Sequence, residues 1–205
     1  MDKIILGALK KPSKKITIGY IPNAKNLQTE RDRIENRLDK LRTRGFNVIE
    51  INLEIFKGRK LGEKLKGVDV IYVGGGNVFL LLNAMRKSGF AKILPKQLDK
   101  GKLYIGISAG SYVACPTIDA ANWKPKHSDR NMIGLKDLTG LNLVPFLITA
   151  HFGEKYRLII EKAAKRTNYP IVALYDTRAI LVEGRKYRII GTGKKEFFNG
   201  FKERR

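Results

Sequence analysis

The chain is poor in the residues from which metal sites and redox centres are built. Its 205 residues include one cysteine, Cys115, and two histidines, His127 and His151. A single thiol forms no intramolecular disulfide, and no Cys/His cluster with zinc spacing exists. No metal or other cofactor is therefore expected. No apolar run approaches the roughly 18 residues of a membrane span, so no membrane partner is expected. The apolar run at the N-terminus is too short for a signal peptide. With the lone cysteine, this gives a reducing cytoplasm as the expected setting. Low-complexity tracts are also missing, and a 43% hydrophobic content argues against disorder.

Acidic side chains are scarce as well. Nineteen Asp and Glu stand against 41 Lys and Arg, leaving a formal net charge of +22. A field of that size attracts polyanions and anionic substrates. The basic residues are scattered, however, and densest near the ends, at 10–15 and 194–205. No RNA-binding aromatic signature or zinc-finger spacing accompanies them, so nucleic-acid binding, if any, is expected to be non-specific.

What is present is an alternation of short β-branched runs with longer amphipathic ones. Strands are expected at 16–21, 46–51, 70–73, 103–107, 147–150 and 171–174. Helices are expected at 30–44, 61–66, 79–87, 91–100 and 155–166. Ile34, Leu38 and Leu41 mark the buried face of the first helix, and Gly45 marks its end. Pro95 is expected within the first turn of the helix at 91–100. A hairpin at 179–182 and 187–190, joined through 183–186, closes the pattern. Such alternation predicts an α/β fold of three layers, a mostly parallel central sheet with helices on both faces. No linker or repeat interrupts it, so residues 1–205 are expected to form one domain.

Two glycine-rich turns end two of the predicted strands. Gly106-Ile107-Ser108-Ala109-Gly110 has the letters and the setting of a nucleophile elbow, a strand before it and small residues opening a helix. Glycines suit that turn because a nearby Cβ would clash with the strained nucleophile. Ser108 is therefore the candidate nucleophile, and the Ala109 amide a candidate oxyanion donor. Gly74-Gly75-Gly76-Asn77 follows the strand at 70–73. It lacks the Lys-Ser/Thr ending of a phosphate-binding P-loop, but its Gly75 amide could complete an oxyanion hole.

A serine nucleophile needs a base. His151 follows an apolar strand directly, whereas His127 lies in a polar loop and reads as a solvated residue. The third member would be a carboxylate that fixes the imidazole's tautomer. Asp176, just past the strand at 171–174, is preferred. Asp119, Asp129 and Asp137 lie between Ser108 and His151 and are alternatives. An esterase or amidase using the same serine, and a non-catalytic polyanion-binding form of the fold, are the rival readings.

Several stretches together resemble the serine peptidase family of dipeptidase E and cyanophycinase. They are the runs beginning Val73-Gly74-Gly75-Gly76-Asn77-Val78-Phe79, Leu103-Tyr104-Ile105-Gly106-Ile107-Ser108 and Ala114-Cys115-Pro116-Thr117-Ile118. Ile21-Pro22-Asn23-Ala24, Leu141-Asn142-Leu143-Val144-Pro145-Phe146 and His151-Phe152 extend the match through nearly the whole chain in order. The resemblance implies a glutamine-amidotransferase-like fold with serine in place of cysteine, Ser108 as nucleophile and His151 as base. It places Asp176 where the family carries a glutamate suggested as the triad acid. Two positions depart from the pattern. Trp123 stands where a second candidate acid is expected, and Asp119 stands where an arginine follows the Pro-Thr-Ile run. The implied partner is a short peptide, with N-terminal-aspartyl dipeptides the family's substrate, and a monomer or homodimer is expected.

Overall fold

A computed structural model describes residues 1–125 and 130–204. His127 and Asp129, considered above as candidates, lie outside the described residues, as does Arg205. By its internal contacts the chain divides into two compact units, Met1–Gly110 and Ser111–Arg205.

The first unit is built on four parallel strands. In chain order it runs α1 (Asp2–Leu9), β1 (Thr17–Ile21), α2 (Arg31–Arg42), β2 (Asn47–Glu50), α3 (Gly58–Lys66), β3 (Val70–Val73), α4 (Val78–Lys87), α5 (Phe90–Asp99) and β4 (Leu103–Gly106). The strand order is β2-β1-β3-β4. Every pairing is parallel, with Ile21 beside Val73 and Val73 beside Gly106 at the C-terminal ends. A parallel sheet needs cover on its faces, which is why β1 and β3 read as continuous apolar runs rather than alternating ones. Ile18 and Tyr20 join a cluster with Ile34, Leu38 and Leu41 of α2 and Ile5 of α1. Gly19, pointing the other way, leaves space that Ile51 and Val68 fill, since a Cβ there would meet Ile51 Cδ1 at 2.6 Å.

Two details differ from expectation. The N-terminal apolar run, measured above only for its length, is helical as α1. Pro95 lies in the middle of α5 rather than in its first turn, because the helix starts at Phe90 under the left-handed Gly89. The proline is exposed. Water can therefore satisfy the Ala91 carbonyl that its missing N–H leaves without a helical donor.

The second unit contains most of α6 (Ala109–Val113), then β5 (Leu147–Thr149), α7 (Arg157–Ala164), β6 (Ile171–Ala173), β7 (Arg178–Glu183), β8 (Lys186–Gly191) and β9 (Glu196–Phe198). β5 and β6 pair in parallel, Leu147 beside Ile171. β7 and β8 form the expected hairpin, longer than foreseen, with Glu183 opposite Lys186 and Gly184 at φ 60° in the turn. β9 was not expected. It pairs antiparallel to β6, and Phe197 and Phe198 pack against a cluster containing Phe146, Ile171, Val172 and Phe201. Three residues after a glycine-rich loop carry no period of their own, so this strand exists through its partner. The architecture is thus α/β, with a mostly parallel sheet flanked by helices. Among the described residues no helix is long and apolar enough to cross a membrane.

Candidate active site

The serine lies at the end of β4. The ladder continues one residue past the strand, where the Ile107 N–H donates to the Val73 carbonyl at 3.0 Å. The chain then turns sharply. Ser108 takes φ 51°, the left-handed region, which costs a non-glycine residue about 1–3 kcal/mol. The Gly110 N–H donates back to the Ile107 carbonyl at 3.0 Å, and Ala109 opens α6. The Tyr104 hydroxyl donates to the Gly110 carbonyl at 2.6 Å and ties the turn to β4.

The glycines around Ser108 have steric reasons. A Cβ on Gly110 would stand 2.6 Å from the Val73 carbonyl oxygen. One on Gly75 would stand 3.1 Å from Ser108 Cβ and 3.3 Å from the Ile107 oxygen. Gly76, at φ 142°, would meet the Ala24 oxygen at 2.1 Å. The glycine loop is therefore drawn tightly against both β1's exit and the serine turn. Asn77 then caps α4, its side-chain oxygen accepting from the Phe79 and Leu80 amides at 3.0 and 3.1 Å. Gly74 donates to Ile21 and Asn77 to Ala24, while Gly75, between them, faces the serine turn. Ala109, as the first residue of α6, has an amide that a helix leaves without an internal acceptor.

The histidine and the preferred carboxylate meet in the second unit. Beyond β5 and β6 the parallel pairing runs on, with the Leu174 N–H donating to the Thr149 carbonyl and the Phe152 N–H to the Leu174 carbonyl, both at 2.9 Å. His151 lies between those bonds and, like Ser108, has a left-handed backbone, φ 55°. Its Nδ1 is 2.7 Å from Asp176 Oδ1. Both side chains keep access to solvent, at 44% and 77% exposure. A base that must reach a substrate needs that access. A ring whose Nδ1–H is held by a carboxylate presents Nε2 as its acceptor nitrogen.

The alternative acids are placed differently. Asp137 caps a local turn by accepting from the Thr139 amide at 2.9 Å. Asp119 begins a short 3-10 turn, Asp119–Asn122, and lines a cavity with Trp123 and Arg166. The lone thiol is structural. Cys115 is buried, its Sγ accepts from the Ile148 amide at 3.2 Å, and burial pushes the thiol up to about 12. Among the described residues no group of three or more His, Cys, Asp and Glu could hold a metal ion.

One charged residue next to this half went unremarked in the sequence. Lys124 has no exposed surface at all. Its ammonium donates to the Ala150 carbonyl and, at 3.5 Å, to that of His151, and it lies 5.6 Å from the centre of the Tyr156 ring. Nothing in the sequence marks this lysine, among 41 Lys and Arg, as a buried one.

The same chain can be set beside known proteins. The model of peptidase family S51 matches residues 1–190. The uncharacterized peptidase PM1590 of Pasteurella multocida (strain Pm70) is 30% identical over 183 residues, covering 87% of this chain and 86% of that one. Peptidase E of Shewanella amazonensis is 28% identical over 174 residues, 80% of this chain and 71% of that one. Among solved structures, a Listeria monocytogenes EGD-e protein assigned to peptidase E superposes with a TM-score of 0.75 at 25% identity, covering 93% of both chains. A match to the family model through all but the last residues, joined to a serine turn built as above, makes this chain a member of peptidase family S51 and a serine-type peptidase.

Proposed function

We propose that the protein hydrolyses short peptides through an acyl-enzyme on Ser108, with His151 as general base and Asp176 as the acid that orients it. The observation that carries this reading is the 2.7 Å contact between His151 Nδ1 and Asp176 Oδ1. It supports the tautomer in which Nε2 takes a proton. In this reading residues 1–205 act as one catalytic domain.

The chemistry follows from those roles. His151 Nε2 takes the proton of the Ser108 hydroxyl as the oxygen attacks the scissile carbonyl. The Gly75 and Ala109 amides are the proposed donors to the oxyanion, each worth about 3 kcal/mol in such holes. The imidazolium, stabilised by Asp176, gives its proton to the leaving amine as the C–N bond breaks. Water, deprotonated by the same nitrogen, then attacks the ester, and Ser108 leaves with the proton. Every step is proton transfer and acyl exchange among groups the chain itself supplies. Dipeptides, N-terminal-aspartyl ones included, are the proposed substrates.

The test is a dipeptide library assayed on the wild type beside Ser108→Ala, with a fluorophosphonate probe added to both. Turnover and labelling in the wild type, both absent from the variant, support the reading. Ester hydrolysis without any dipeptide turnover would move it to an esterase, and an unlabelled wild type would end it.

A further inference from the structure

Burying a lysine without any exposed surface is costly, and among the described residues no carboxylate lies at salt-bridge distance from Lys124 to offset it. Its ammonium instead meets backbone oxygens. Both acceptors, the carbonyls of Ala150 and His151, belong to the two residues where the chain leaves β5 and enters the left-handed turn at His151. Ala150 is held from a second side by Tyr112, whose hydroxyl accepts from the Ala150 amide at 3.1 Å and donates to its carbonyl at 3.4 Å. The candidate base thus stands on a strained turn fastened to two buried side chains. Asp176, the group that holds His151 Nδ1, also acts on the ammonium and favours its charged form. Among the described residues, the other titratable groups around Lys124 are His151, Tyr112 and Tyr156, with Lys155 over the Tyr156 ring at 5.1 Å.

From this geometry we infer that Lys124 is a positioning residue for the catalytic imidazole: its buried ammonium braces the His151 turn through the carbonyls of Ala150 and His151. The inference rests on the catalytic role proposed for His151. It explains why a buried charge is kept where an apolar side chain would fold more easily. A charged donor holds a carbonyl about twice as strongly as a neutral one. Desolvation pushes the Lys124 ammonium down to about 8, so the brace weakens within an accessible pH range.

The experiment measures kcat, KM and melting temperature for wild type, Lys124→Met, Lys124→Arg and Ser108→Ala from pH 6 to 10, on one dipeptide. Lys124→Met should lose about 10- to 100-fold in kcat with KM within about threefold, while its melting temperature holds or rises. A residue that served folding alone would lose stability and activity together. The wild type should show a fall in kcat centred near pH 8 that the Met variant lacks. Lys124→Arg, whose guanidinium stays charged, should keep most of the activity and also lack that fall. If Lys124→Met proves unfolded, the arginine variant decides by itself, and an unchanged fall near pH 8 in it overturns the brace. Wild-type kcat in Lys124→Met, with Ser108→Ala inactive, overturns the brace alone. Full turnover in Ser108→Ala overturns the proposed site and the brace with it.

Discussion

The two units prepare their proposed reactive groups by different means. Around Ser108 the geometry is made by exclusion. Glycines at 75, 76 and 110 let backbone approach to distances at which a Cβ would overlap, and the serine is left in a left-handed turn that its neighbours enforce. Around His151 the geometry is made by attachment. The parallel register of β5 and β6 sets Asp176 beside the ring, and Tyr112 and Lys124 tie down the turn from within. A site built by exclusion is sensitive to added atoms. One built by attachment is sensitive to removed ones. Each half should therefore break under the opposite kind of substitution.

The largest expected effect is on the proposed nucleophile. Ser108→Ala should lower kcat by about 10⁴-fold or more, with far-ultraviolet circular dichroism and melting temperature retained. The attached half should respond next. Asp176→Asn, which keeps the shape but holds the wrong tautomer, should cost about 10²- to 10⁴-fold in kcat, while Asp137→Asn stays within about twofold. Equal activities in the two asparagine variants would remove Asp176 from the mechanism. The excluded half is tested by adding one methyl. Gly75→Ala should push against Ser108 Cβ at 3.1 Å and lower kcat about tenfold, for a stability loss of about 1 kcal/mol read by denaturant titration.

The last effect separates the halves by pH, in stability rather than in activity. Lys124 holds its proton more weakly folded, near 8, than at its ordinary value of 10.5. The unfolded chain therefore binds more protons between those values, and stability rises with pH across that window. Relative to Lys124→Met, the wild type should be best above 10.5 and lose about 3 kcal/mol as pH falls from 10.5 to 8. Parallel stability curves for the two proteins would mean that the ammonium is not desolvated.

How much of this was readable from the residues depends on how local each cause is. The helix stripe Ile34, Leu38 and Leu41 was legible, because a 3.6-residue period exposes one face. The serine turn and the glycine loop were legible because their letters state a steric requirement within a few residues. The facing of His151 and Asp176 was legible in outline, since both follow short apolar strands. β9 was not, because Glu196-Phe197-Phe198 becomes a strand only by pairing with β6. Neither was α1, whose Ile5 is buried only by joining the cluster of α2 and β1.

The sequence by itself determined the α/β class, the family and the serine turn, because periodicity and backbone sterics act between near neighbours. Only the tertiary structure decided that Asp176, rather than Asp119 or Asp137, holds the imidazole, and that Lys124 is the lysine taken inside. Both depend on which strands lie side by side. Chain neighbours cannot report that, because the free energy of those contacts comes from residues tens of positions away.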